Sequence, residues 1–194
     1  MKKFLSILLV CFAVVSASAA ELRIAVVDLD RVFREYYKSR IAEDFLNQQA
    51  EAARLYLGQL TNKLEAQKAE YIRLQQGIRN QAVSDAERQK MVAAAGELEV
   101  QIKATEKEIA VYQREISREL QRLEQTKRGE ILLDIQREIR RRAAAENYAF
   151  VLDCSGKSAN GLPAVLVYPA KNDISNAVIR ELNRSAAKPA TERK

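Results

Sequence analysis

The sequence predicts a mainly α chain with a small β body: a long antiparallel α-helical coiled-coil hairpin, or tentacle, projecting from a β-rich body. Three observations predict it. Apolar residues recur at heptad spacing between Leu46 and Ile139. A helix-start signature interrupts that stretch near its middle, and short β-branched runs stand only towards the two ends of the chain.

Taken in order, the chain begins with Lys2 and Lys3, an apolar run from Phe4 to Val15, and then Ser16-Ala17-Ser18-Ala19-Ala20. A short basic region, an apolar segment too short to span a bilayer comfortably, and small residues at an A-x-A site make a secretory signal peptide over 1–19, cleaved after 19 or 20. Its removal takes two lysines and lowers the formal net charge from +6 to about +4. The mature chain is then expected to be soluble outside the cytoplasm. It keeps one cysteine, Cys154, so no disulfide closes within one chain.

Residues 20–36 and 143–184 are expected to form a β-rich oligomerisation body. Leu22 to Asp28 reads as a strand, with Asp28 or Asp30 capping a helix from Arg31 to Tyr37. Two further strands are expected at Tyr148–Asp153 and Ala164–Tyr168, flanking a Gly/Ser loop over 155–161. Asp173 then caps a final helix carrying Ile174, Val178, Ile179 and Leu182, and 185–194 is expected to be a disordered tail. A body of about 70 residues is near the size where a core is marginal, and open strand edges add to the difficulty. Shared strands in an oligomer are the simplest remedy. The residues expected to form that contact are Ile24, Val26, Phe150, Val151, Leu152, Val165 and Val167.

Residues 37–142 are expected to be the hairpin. On its first arm the seam runs through Leu46, Ala50, Ala53, Leu57, Leu60, Leu64, Tyr71, Leu74 and Ile78, interrupted only at Gln67. The second arm answers with Leu98, Ile102, Ile109, Tyr112 and Ile116, with Thr105 at one seam position. Steps averaging 3.5 residues are the mark of a coiled coil. At Leu120, Ile131, Ile135 and Ile139 the period lengthens, so the supercoil should relax there. No proline precedes Pro163, and Ser84 with Glu87 has capping-box spacing, which places the tip near 79–84.

The chain has no histidine, no glycine-rich phosphate loop and no nucleophile–base pair. No enzyme, no cofactor, no metal and no use of ATP are therefore expected. Arg137, Arg140, Arg141 and Arg142 form a basic run, but Glu138 and Glu146 dilute it and a secretory signal argues against nucleic acid. Charge at a helix C-terminus also suits the helix dipole. Anionic lipid headgroups remain a possible class of partner for such a run.

The strand Ile24-Ala25-Val26-Val27-Asp28, the following Val32-Phe33-Arg34-Glu35-Tyr36-Tyr37-Lys38, and the closing Phe150-Val151-Leu152-Asp153, Ser155-Gly156-Lys157-Ser158, Val165-Leu166-Val167-Tyr168 and Asp173-Ile174-Ser175 resemble the Skp/OmpH family of periplasmic chaperones. The resemblance covers the mature chain in layout. It implies a homotrimer in which a β-rich trimerisation body carries three tentacles around a cavity. It also implies holding of unfolded outer-membrane proteins, without ATP, on their way to the outer membrane.

The residues offered for client binding lie on the tentacle surface. Tyr56, Ile72, Val100 and Val111 are apolar residues off the seam, and Lys68, Arg73, Arg79, Arg88 and Lys90 supply basic charge towards the tip. A structural coiled-coil spacer or adaptor of the cell envelope, binding one defined partner, is the alternative reading. Such a spacer would have a closed seam and an inert surface.

Overall fold

Both ends of the chain converge on one buried strand. A computed structural model describes residues 22–184 and 186, so the expected signal peptide and nearly all of the expected tail lie outside the described residues. Strand β1 (Ile24–Val27) pairs in parallel with β2 (Phe150–Asp153), Ile24 opposite Phe150 and Val27 opposite Asp153. On the other side of β1 the chain makes a single bridge, Val26 to Asp173, where the Ile174 N–H donates to the Val26 carbonyl at 2.9 Å. The sheet therefore has two strands, and the third strand expected at 164–168 does not form. Its physical reason is local: Pro163 and Pro169 bracket the segment, and no free strand edge in the same chain meets it.

Helix α1 (Leu29–Glu35) starts at Asp28, whose carboxylate accepts from the Arg31 N–H at 2.8 Å; of the two candidate caps, this is the one used. Two matching Asp-x-Ser turns hold that helix start. Ser155 Oγ donates to Asp153 at 2.6 Å and accepts from the Asp30 N–H at 3.2 Å. Ser175 Oγ donates to Asp173 at 2.5 Å and accepts from the Asp28 N–H at 2.9 Å. Short side chains that bond neighbouring amides thus replace the ladder that a third strand would have supplied.

Helices α2 (Tyr37–Arg79, 43 residues) and α3 (Asp85–Ala145, 61 residues) would extend about 65 and 90 Å at 1.5 Å per residue. Contacts of Tyr36 with Asp134, Lys68 with Glu106 and Gly77 with Met91 show that they run side by side in opposite directions. They turn at 80–84, where Ser84 Oγ accepts from the Glu87 N–H at 3.3 Å. The expected seam is the covered face: Ala53, Leu60, Ala95 and Thr105 are buried, and Leu57, Leu64, Tyr71, Leu74, Leu98, Ile102, Ile109 and Tyr112 are half-buried. Ala50 is the exception and is exposed, its methyl being too short to reach across at the rim of the seam.

Lys68 bridges to Glu106 at 2.7 Å, so the adjacent Gln67 and Thr105 stand at one height. Thr105 is 2% exposed and its hydroxyl donates to the Gln101 carbonyl at 3.0 Å, whereas Gln67 Oε1 is buried with no hydrogen-bond partner among the described residues. The seam thus carries one polar layer, which costs stability and disfavours a slipped register.

The core lies at the root of the hairpin. Ala25, Val27, Val32 and Tyr36 meet Ile131 and Ile135 from α3, and Val178, Ile179 and Leu182 from the terminal helix α4 (Ser175–Asn183) with Ile174 at its N-cap. It is mostly helical, and it reaches into the arms through Ala42 and Ile139.

At its edge Lys38 Nζ lies 2.6 Å from Asp134 Oδ2, and the Tyr36 hydroxyl donates to the same oxygen at 3.2 Å. The bond to Lys38 is the main cause that holds the Asp134 carboxyl below its usual range, and the same bond raises the Lys38 ammonium. The contribution from Asp134 is full above its unfolded pKa and is lost as pH falls through the lower folded value. That from Lys38 is full below its unfolded pKa and is lost as pH rises through the higher folded one. Asp134→Asn should therefore cost about 0.5–1 kcal/mol at neutral pH, the size expected of a partly exposed pair. The variant should also lose less stability than the parent on acidification. Equal acid sensitivity in urea melts of the two proteins would show that another group carries it.

Candidate functional site

Parallel pairing fixes which β residues share a face. Ile24, Val26, Phe150 and Leu152 lie on one side, while Ala25, Val27 and Val151 lie on the core side. Phe150 and Leu152 are exposed, although each is a large apolar residue on a strand. Of the residues expected at a subunit contact, Val26 is 2% exposed and Val151 faces the core, so both are already used by their own chain, and Ile24 is half-buried. Val165 is half-buried, and Val167 is 90% exposed in the segment that failed to form a strand. The thiol of Cys154 sits 3.4 Å from the Tyr168 hydroxyl, a contact that pushes the tyrosine pKa up to about 12.

On the arms the basic residues divide by what they touch. Lys68 is spent on the cross-helix pair with Glu106, and Arg73 lies 3.5 Å from Glu70 on its own helix. The Arg88 guanidinium donates to the Ile78 carbonyl at 2.7 Å and the Val83 carbonyl at 3.1 Å. It ties the end of α2 to the turn, a role that spacing alone does not reveal. Arg79 and Lys90 are exposed near the tip and free of ion pairs among the described residues.

The off-seam apolar residues divide likewise. Tyr56 does have a partner within the hairpin: its ring stands edge-on to Tyr112 at 4.7 Å, and its hydroxyl donates to Glu108 at 2.9 Å. That hydrogen bond also raises the Tyr56 pKa. Val111 is half-buried. Ile72 and Val100 are 57% and 67% exposed. The pairing of Lys68 with Glu106 puts them at about the same height, yet on outer faces of different helices.

A longer stripe lies outside the seam of α2. Counted in heptads, Ile41, Phe45, Ala52, Leu55, Ala69 and Ile72 all fall on the side of α2 opposite to its seam, and all are exposed. The signal was a second, sparser 3–4 pattern offset from the first. Ile41 and Phe45, nearest the root, flank a cleft against Lys127, Glu130 and Ile131, and farther out Leu55 and Ile72 stand open to solvent.

The basic run near the root is largely neutralised. Arg137 pairs with Asp134 at 3.1 Å, Arg141 donates twice to Glu138 at 2.7 and 2.8 Å, and Arg142 pairs with Glu146 at 2.5 Å. Only Arg140 of the four lacks an ion pair among the described residues. The pairs lie within α3 and its C-cap; two further bonds join it to the body, Arg142 donating to the Ala177 carbonyl and Arg23 to that of Glu146. Among the described residues no group of three or more His, Cys, Asp or Glu is placed to hold a metal, and no helix is long and apolar enough to cross a membrane.

A two-stranded parallel sheet closed by both chain ends, two long antiparallel helices and a terminal helix over the root account for the whole span from Arg23 to Leu182. A family model described as outer membrane protein (OmpH-like) matches residues 23–182. The chain belongs to the OmpH-like family. No curated protein matches it. The family is one of chaperones, and the OmpH-like span runs from the start of β1 to the last buried residue of α4.

The tip supplies a test of the assignment of Arg88. Arg88→Gln should lower local stability by about 1–2 kcal/mol, because it breaks two charge-assisted bonds to carbonyls. Amide exchange over 78–88 should speed up accordingly, while Arg79→Gln should leave it unchanged. Equal protection in both variants would remove Arg88 from the tip's framework.

Proposed function

We propose that this OmpH-like chain is an ATP-independent periplasmic holdase that captures unfolded outer-membrane proteins between helical tentacles and prevents their aggregation. The observation that carries the reading is the exposed apolar stripe along α2, from Ile41 to Ile72, set among charged residues. Separated apolar side chains on a long solvated rod give many weak contacts and no fixed geometry. An unfolded client with varied sequence needs that combination. Family membership supports the client class and the compartment.

The assembly we propose is a homotrimer closed through the body, with the two long helices of each subunit forming a coiled-coil tentacle. Two features of the body support self-association. The outer face of the sheet presents Phe150 and Leu152 to solvent, and the far edge of β2 has no strand beside it among the described residues. The unpaired 164–168 segment of a neighbouring subunit has the right chemistry to cover both, with Val165 and Val167 as its apolar residues. Net positive charge on the mature chain should speed encounter with acidic clients, and free Arg79 and Lys90 at the tip suit that role.

Two measurements test the two halves. Leu55→Ser, Ile72→Ser and Val100→Ser together remove exposed apolar area without touching the seam. At about 25 cal/mol per Å2 the loss should be a few kcal/mol, spread over many contacts. Client release by stopped-flow should accelerate with helix content unchanged, and two unrelated unfolded β-barrel clients should aggregate sooner. Full protection by this variant would place the client elsewhere on the chain; failure of the unaltered protein to protect either client would favour an envelope spacer. For assembly, Phe150→Asp with Leu152→Asp should give monomers by light scattering at micromolar concentration, because the charges would enter a shared apolar contact. An unchanged oligomer would rule out this face of the sheet.

A further inference from the structure

Where the arms leave the body, α2 and α3 approach through a small residue. Ala42 packs on the core that contains Ile131, and a cleft opens on either side of it. This is the zone where the period of the second arm lengthens, so neighbouring side chains no longer interlock. The larger cleft has a volume of about 510 Å3 and an apolar floor of Phe33, Leu46 and Ile131.

Its rim is charged in an unusual way. Arg40 and Glu43 stand three residues apart, and Glu124 and Arg128 four apart, spacings at which ion pairs form elsewhere on these helices. Neither couple is paired, with each other or with any other charge among the described residues. Arg128 lies instead over the Phe33 ring, 5.1 Å from its centre, and Arg34 at the end of α1 also lacks a carboxylate partner among the described residues. Three free guanidiniums, two free carboxylates and the Asn47 amide therefore surround one apolar floor.

We propose that this root cleft is a peptide subsite, taking a client segment in which an acidic residue adjoins an aromatic or large aliphatic one. The proposal rests on the holdase reading and gives the client a second, more selective foothold. The ligand's apolar side chain occupies the floor. Its carboxylate is taken by Arg34, Arg40 and Arg128, whose planar forks suit that group. Glu43, Glu124 and Asn47 accept backbone N–H groups of the same segment. That last feature selects a peptide over an anionic lipid: a lipid head would meet two carboxylates at the rim and has no row of N–H groups to offer them. A cleft of this volume is within the usual size of a small-ligand site.

The test uses the full mature chain and a short fluorescein-labelled peptide with Asp-Phe at its centre, titrated by anisotropy. Versions with Asn-Phe and Asp-Ser serve as controls. Both controls should bind about tenfold more weakly than Asp-Phe. Arg34→Gln, Arg40→Gln and Arg128→Gln together should abolish that preference for Asp over Asn. These side chains are at the surface, so circular dichroism should show the fold intact. Glu43→Gln with Glu124→Gln should weaken the peptide several-fold. Unchanged affinity in the arginine variant, or equal affinity for Asp-Phe and Asn-Phe, would overturn the proposal. Tighter binding to phosphatidylglycerol vesicles than to the peptide, increased by the glutamate variant, would overturn it in favour of a lipid site. The variant Leu55→Ser, Ile72→Ser and Val100→Ser separates the two readings: peptide binding should survive in it whether or not client protection does.

Discussion

Everything in this chain hangs on the burial of β1. Its residues, with Arg23 just before them, collect backbone partners from regions more than 120 residues away. The Ala149 N–H donates to the Arg23 carbonyl, the Cys154 N–H to that of Val27, and the Ile174 N–H to that of Val26. A strand so placed must satisfy its amides from the far end of the chain, because the residues that follow it become helix at once. The root of the hairpin is fixed by that demand. Once 149–154 and 174 are pinned to β1, α3 must return to within a few residues of where α2 set out.

That constraint also explains which residues near the ends are particular. Asp153 and Ser155, and Asp173 and Ser175, make the same turn twice, and each hydroxyl receives an amide at the start of α1. They were visible in the sequence as members of a resemblance, and the structure gives them a mechanical meaning. The long-range contact they make between the chain ends has no local signature.

The arms were legible because a seam is a one-dimensional pattern. Leu57, Leu60, Leu64, Leu98, Ile102 and Ile109 could be assigned from spacing alone, and even Thr105 falls where the period puts it. Errors arose where a residue's fate depends on a second element. Tyr56 is off the seam by count, yet a long aromatic side chain reaches Tyr112 and Glu108 on the facing helix. Arg88 is one basic residue among several by composition, and only the turn brings two free carbonyls to it. The segment from Ala164 to Tyr168 has strand composition, but a strand exists only beside an edge. The outer stripe of α2 is hard to read for the opposite reason: most of it faces solvent, and the stronger seam pattern masks it.

Charge and apolar surface are divided along the molecule in a way that suits a rod holding its own fold while leaving its outside free. Near the root most of the basic run is consumed in pairs within α3 and its C-cap, including Glu138, which is nearly buried and still meets two arginines. Breaking either partner there would leave a charge in poor solvent, so these residues are poor candidates for capturing anything. Farther out the pairs are exposed and weak, and each holds its partner only loosely. Apolar exposure follows the same logic. Within the seam, Gln67 and Thr105 accept a cost in stability and set the register; outside it, Leu55, Ile72 and Val100 contribute nothing to the hairpin that holds them. A side chain that neither closes the seam nor pairs a charge can change its contacts without unfolding the helix beneath it. The rigidity of the seam is therefore what allows the outer surface to be sticky, since a loosely packed rod with the same exposed residues would collapse on itself.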